Sequence, residues 1–430
     1  MCTRTERARG REHAPLASLF AIALPFALAA ATPPLVAQRT VTVSPTGPVR
    51  TITEAVRRAS AGDRIIVRAG TYREPTIIVD RPVEIEGVGR PVLDGEGERQ
   101  IMTITADDVT VRGLRFVNTG ASYVEDRAAL RVAGARRCTI ADNRFDDAFF
   151  GIYLAEASDC VVERNELHAS ASGEAGSGNG IHMWSSRAIT VADNRISGHR
   201  DGIYLEFTHA SEMRGNVSEH NLRYGLHFMY SNDCRYTNNV FRDNGSGVAV
   251  MYTKNVTMIG NRFERNWGGA AYGLLLKEIS DSRLERNVFE GNTTGLLADG
   301  ANRLQADNNQ FIANGWALKL EASTQDGHFT RNDFVANTFD VVTNNRNITS
   351  TFAGNYWDSY KGYDLDHDGV GDVPHWPVRL FSLLAARAEP SLVLLRSAFV
   401  ELLDAAERVL PVLTPDSVND PRPAMHRISS

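Results

Sequence analysis

The sequence predicts an all-β fold, a right-handed parallel β-helix wound as a solenoid of coils of about 22 residues, and three observations predict it. Glycines at Gly151, Gly180, Gly202, Gly225, Gly247, Gly273 and Gly295 each open a stretch of the form G-aliphatic-x-aliphatic. A column of asparagines keeps step with them: Asn143, Asn165, Asn194, Asn216, Asn239, Asn261, Asn287, Asn309, Asn332 and Asn355. Most steps in either column are 22 or 23 residues. Such a period, with short alternating strands, marks a solenoid whose coils bury a continuous core against their neighbours. Equivalent residues of successive coils then stack about 4.8 Å apart, and inward asparagines at a turn can hydrogen-bond along the stack. A leucine-rich repeat shares the period but needs a leucine consensus that is absent here.

The elements follow in chain order. Residues 1–37 carry Arg4, Arg7, Arg9 and Arg11, then the apolar run LASLFAIALPFALAAA and small residues, which predicts a secretory signal peptide cut between Ala31 and Ala37. The arginines are not adjacent and Cys2 precedes the run, so neither a twin-arginine nor a lipoprotein signal is expected. Export predicts a periplasmic protein. Losing this segment takes the net charge from −6 to about −8, an acidic balance that argues against nucleic acid as a partner. Residues 38–110 hold an N-terminal cap and the first coils. TITEAVRRAS (Thr51 to Ser60) has a helical period and precedes the strand-like RIIVRAG, as expected of a helix covering the open end of a solenoid. The repeats proper run over 111–357 and stop at GNYW. A Gly/Ser-rich insertion interrupts them after Asn165, and a second insertion, containing NWGGAAYG, follows Asn261.

Alignment of the rungs on their glycines sorts side chains by direction. Ile152, Ile181, Ile203, Leu226, Val248, Leu274 and Leu296 follow the glycine, and Leu154, Met183, Leu205, Phe228, Val250, Leu276 and Ala298 lie two further on. Both columns are apolar and face the core, so strand alternation turns the residues between them outward. The expected outer face therefore exposes His182, Trp184, Tyr204, Glu206, His227, Met229 and Met251 over four coils. Thioether and imidazole are ligands suited to copper(I), and Met229 and Met251 fall on adjacent coils with His227 on the strand of Met229. The face predicts a transient copper(I) site of His227, Met229 and Met251, with His182 two coils away as a second stop or docking contact. An apolar docking patch rich in adaptable methionine is the other reading, and the two are compatible.

Cys138, Cys160 and Cys234 each precede a ladder asparagine by five residues and share one inward column with Ser211, Val256 and Ser282. Small buried space-fillers are favoured over a Cys138–Cys160 bridge or a thiolate metal site. Residues 358–378 form an acidic segment in which DLDHDGVGD offers Asp364, Asp366, Asp368 and Asp372 as calcium ligands around Gly369. His375 stands where an EF-hand would have glutamate, and an ordinary acidic turn is the alternative. Residues 379–430 form a tail, helical by its apolar spacing (Leu392, Leu395, Phe399, Leu402, Leu403, Ala406, Val409 and Leu410). It carries too many charges to cross a membrane and either covers the last coil or offers an apolar stripe to a partner.

Many β-helices cut polysaccharides with clustered acids or a calcium and a basic residue. Glu206 is the lone acid of the best-defined outer face, so catalysis is not expected, and a carbohydrate-binding or carbohydrate-cleaving protein is the alternative reading. The cap AGDRIIVRAGTYRE, the repeats, GNYWDSYKGYDLDHDGVGDVPHWP and LVLLRSAFVELLDAAERVLPVLTP together resemble the NosD family of nitrous-oxide-reductase maturation proteins. The two C-terminal stretches carry most of that resemblance, which spans essentially the whole exported chain. It implies a periplasmic protein, peripheral to the inner membrane, that works with an ABC-type permease and its ATPase. It further implies a copper chaperone and nitrous oxide reductase as partners in assembling copper centres. It assigns no ligand residue; the copper ligands above rest on the columns alone.

Overall fold

The computed structural model describes residues 38–409 and 418–428, apart from 123, 171–172, 345–347 and 396. The signal-peptide segment and Leu410 of the tail lie outside the described residues. From Thr40 onward the chain winds into three parallel sheets of 14, 12 and 13 strands, each strand pairing in register with the equivalent strand one coil away. The predicted parallel β-helix is the fold observed.

The N-terminal cap is a helix, α1 (Ile52–Arg58), because Thr51 caps it and Glu74 serves its orphan donors. The Thr51 hydroxyl accepts from Glu54 N at 3.2 Å, and the Glu74 carboxylate accepts from Ile52 N at 2.7 Å and Thr53 N at 3.0 Å. Ile52, Ala55 and Val56 are buried against the first coil.

Inside, the columns stack as alternation requires. Each ladder asparagine is buried; Asn239, for instance, donates to Met213 O at 2.9 Å and Asn261 Oδ1 at 2.9 Å, while its own Oδ1 accepts from Asn216 N and Nδ2, both at 3.0 Å. A second ladder, Asn221, Asn244, Asn266, Asn292, Asn314 and Asn337, runs in parallel at the next corner and was not evident from the first column. Between them, Phe263, Phe289, Phe311 and Phe334 stack at 4.7–4.9 Å and end on Trp357 at 4.1 Å. Cys138, Cys160 and Cys234 are buried free thiols.

The C-terminal end differs from a purely helical tail. Helices α2 (Leu380–Arg387) and α3 (Ala398–Val409) form, but α2 packs sideways: Phe381 and Ala385 join Trp316, Phe339 and Val342 of the twelve-stranded sheet in a separate apolar cluster. The end of the solenoid is closed instead by residues 418–428, which return without helix. The buried Asp420 carboxylate accepts from Asn355 N and Asn355 Nδ2 at 2.9 Å and from Trp357 Nε1 at 3.2 Å, taking the place of the next ladder asparagine. Ala424 bridges Tyr356 in parallel, as a further coil would. Exposed ladder donors at a coil end require an acceptor, and Asp420 supplies it.

Candidate metal site on the twelve-stranded sheet

The strand pairing fixes the columns. Ile181–Trp184, Asp201–Glu206, Tyr224–Met229 and Ser246–Lys254 are consecutive strands of the twelve-stranded sheet. Their register sets His182 beside Tyr204, Tyr204 beside His227, and His227 beside Ala249. In the neighbouring column Trp184, Glu206, Met229 and Met251 are adjacent in turn. Met183 is fully buried in the core, as alternation requires.

Direction and exposure diverge, however. The outer face was expected to leave all these side chains in solvent, but His227 is 7% exposed and Met229, Met251, Tyr204 and His182 are only half-buried. Trp184 alone of the seven is exposed. Coils one strand apart bring bulky outward neighbours into contact, so an outward side chain can still be covered. The rings form a continuous pile: Tyr153 to His182 at 4.4 Å, His182 to Tyr204 at 4.7 Å, and Tyr204 to His227 at 5.0 Å between centroids. Tyr224 covers His227 from another side at 4.8 Å, and Tyr272 reaches over to the Tyr224 hydroxyl at 3.2 Å.

Tyr204 links the two columns. Its ring lies between His182 and His227, and its hydroxyl donates to Met229 Sδ at 3.8 Å or to Glu206 Oε2 at 3.3 Å. Burial, and then the Glu206 charge, push that phenol up to about 12. Burial, reinforced by Arg200, pulls His182 down to about 3, so its imidazole is neutral and free of a competing proton at neutral pH. Asn179 Nδ2 lies 3.0 Å from His182 Nδ1.

Beneath His227 lies a charged pair that the column alignment missed. Asp201 is fully buried and is held bidentately by Arg223, Nε to Oδ1 at 2.9 Å and Nη2 to Oδ2 at 2.5 Å. Burial alone would raise the Asp201 carboxyl, but His227 and Arg223 outweigh it and hold the group below the usual carboxylate range. His227 Nδ1 is 3.7 Å from Asp201 Oδ2 and 3.4 Å from Arg223 Nη2, while Nε2 is buried without a partner. Asp201 immediately precedes the rung glycine Gly202, and Arg223 precedes Gly225 by two. An alignment that starts at the glycines leaves both out.

The observations fit a soft metal ion in part. Two thioethers are register-paired on neighbouring strands, and His227, two residues before Met229 on the same strand, has one unpartnered ring nitrogen. The structure brings Met229 and Met251 together and sets His227 on the same strand as Met229. It keeps His182 apart from His227, with the Tyr204 ring between them.

The acidic loop is a separate cluster. Carboxylate oxygens of Asp364, Asp366 and Asp368 lie within 4.8 Å of one another. Gly369 adopts φ +84°, where a side chain would be strained. Asp372, expected as a fourth ligand, is turned away: its Oδ2 accepts from Leu365 N at 2.7 Å, which closes the loop's neck. His375 does not approach the cluster either; its backbone pairs with Asp420 and its ring lies on Trp357.

A parallel β-helix whose best-defined outer face carries imidazole, thioether and aromatic groups is the class that the fold and site define. Among solved structures of that class, the family 28 exopolygalacturonase of Yersinia enterocolitica superposes with a TM-score of 0.57 at 12% identity, covering 75% of this chain and 79% of that one, a likeness of fold alone. Two relatives agree along most of their length. The "Probable ABC transporter binding protein NosD" of Pseudomonas aeruginosa is 31% identical over 389 residues, covering 86% of this chain and 89% of that protein. Its namesake from Stutzerimonas stutzeri is 28% identical over 377 residues, covering 83% and 85%. Residues 168–362 match the family described as "Periplasmic copper-binding protein (NosD)". The chain belongs to the NosD family. No described helix is long and apolar enough to cross a membrane.

Proposed function

We propose that this protein is a periplasmic, non-catalytic accessory scaffold that handles copper for the copper centres of nitrous oxide reductase. Copper is its cargo, held transiently as copper(I) by Met229, Met251 and His227, with His182 as a second stop or docking contact. The observation that carries the reading is the register pairing of the two methionines on the outer sheet face, next to an imidazole whose Nε2 has no partner. The family's copper-binding description supports the same chemistry. The relatives' names support an ABC transporter, a permease with its ATPase, as one partner; a copper chaperone and the reductase complete the set.

Leucine matches methionine in size and polarity, so Met229→Leu with Met251→Leu leaves folding nearly unchanged. In competition with a chromophoric copper(I) chelator, the double variant binds about tenfold more weakly or worse, because two of a few soft donors are gone. Equal affinity in wild type and variant makes the methionines a contact surface only.

The acidic loop is proposed as a structural calcium site of Asp364, Asp366 and Asp368, without Asp372. Calcium prefers carboxylate oxygens on a tight turn. Asp366→Ala with Asp368→Ala lowers Tm in calcium and abolishes any response to a chelator. A wild type indifferent to chelator makes the loop an ordinary acidic turn.

A further inference from the structure

The copper reading leaves open what balances the charge of the ion. Thioethers are neutral donors, and a cation that leaves water for a half-buried site needs a counter-charge to offset its lost hydration. The column that carries Met229 and Met251 holds two charged neighbours. Register sets Glu206 beside Met229 and Lys277 beside Met251, so the methionine pair lies between a carboxylate and an ammonium. The two are not equivalent. Lys277 Nζ pairs with Asp299, its neighbour on the next coil, at 3.9 Å, and its charge is balanced there. Glu206 is half-buried, and among the described residues no cation pairs with it; its Oε2 accepts from the Tyr204 hydroxyl at 3.3 Å. That same hydroxyl lies 3.8 Å from Met229 Sδ, so one donor serves both the carboxylate and the thioether. Asp201, the other acid nearby, is already held by Arg223 at 2.5 Å and faces Arg200 at 3.9 Å.

Resting on the copper reading, we propose that Glu206 is the counter-charge of the copper(I) site, its carboxylate offsetting the charge of the ion held by Met229 and Met251. The Tyr204 hydroxyl can donate to one acceptor at a time. When the Met229 sulfur gives its lone pair to the metal, Glu206 is the acceptor that remains, and the hydroxyl then holds the carboxylate beside the ion. The thioethers set the preference for a soft ion, while Glu206 answers only to its charge. An unpaired opposite charge one coil away from a half-buried ion, discounted for solvent screening, contributes about tenfold in affinity.

Chelator competition for copper(I), run at low and at high ionic strength, compares wild type with Glu206→Gln and Glu206→Asp, and thermal unfolding checks that each is folded. Variants are compared at equal salt, so the chelator's own salt dependence cancels. Glu206→Gln keeps the shape and an oxygen for Tyr204 and removes the charge. At low ionic strength it binds copper(I) about tenfold more weakly than wild type, and the gap narrows at high ionic strength, where the charge is screened. Glu206→Asp keeps the charge and binds more tightly than Glu206→Gln. A residue that only shapes the site would tolerate glutamine better than aspartate and show no salt dependence; that pattern overturns the inference. So does wild-type affinity in Glu206→Gln while Met229→Leu/Met251→Leu has lost binding, an outcome that leaves the copper reading standing. Undiminished copper(I) affinity in the methionine variant overturns the copper reading itself, and with it the role of Glu206.

Discussion

Buried ionisable residues are where this chain departs from what folding alone requires. Asp340, on the last strand of the twelve-stranded sheet, is pushed up to about 6, first by burial and then by the Asp358 charge, against partial relief from Arg379, Ser359 and Asn337. The sign follows from proton uptake: between its ordinary value of 3.8 and about 6, the folded state holds more protons than the unfolded one. Its contribution to stability is therefore complete below pH 3.8 and is lost as pH rises through 6. Asp340→Asn should raise Tm at pH 7.5 by a few degrees and have little effect at pH 4, read by calorimetry at both values. A variant no more stable than wild type at pH 7.5 contradicts this. The direction of each outer side chain was legible from the glycine-anchored alignment. The burial of His227 was not, because it depends on which rings on adjacent coils lean over it. Nor was Asp201, because its partner Arg223 lies one coil on and 22 residues away.

At the scale of elements, α1 and the repeats could be read directly, since Thr51 as N-cap and the asparagine step are local signals. The closing segment could not. Residues 418–428 have no repeat, glycine rung or strand pattern, and their structure depends on the ladder end that they cover. Asp420→Ala removes the acceptor of five donors, of which Asn355 N, Asn355 Nδ2 and Trp357 Nε1 are buried and Gly354 N and Arg422 N are partly so. Unpaired buried donors cost about 1–3 kcal/mol each, so on the order of 3 kcal/mol of stability should be lost, less whatever water recovers. Asp420→Asn retains one acceptor oxygen and should lose less. Urea unfolding of the two variants ranks them; an alanine variant as stable as wild type means that the ladder end does not need this cap.

For the whole molecule, the tail divides into two segments with different surroundings. Residues 418–428 complete the solenoid, while α3 presents Phe399, 48% exposed, and Leu402, 68% exposed, away from the apolar cluster on which α2 rests. We propose that the permease of an ABC transporter docks there. Phe399→Asp with Leu402→Asp should leave Tm unchanged and abolish co-purification with the permease; retained co-purification moves the contact elsewhere on the solenoid. Deleting the tail outright would also remove Asp420 and confuse the two effects. Copper handling is the central claim, and it is tested most directly by X-ray absorption at the copper edge on the copper(I)-loaded protein. Wild type should show a sulfur shell together with a nitrogen or oxygen contribution, and Met229→Leu/Met251→Leu should lose the sulfur shell. A sulfur shell that survives the double substitution would assign the metal to another sulfur of the chain, a cysteine or one of the remaining methionines, and a wild-type spectrum without sulfur would contradict the proposed site altogether.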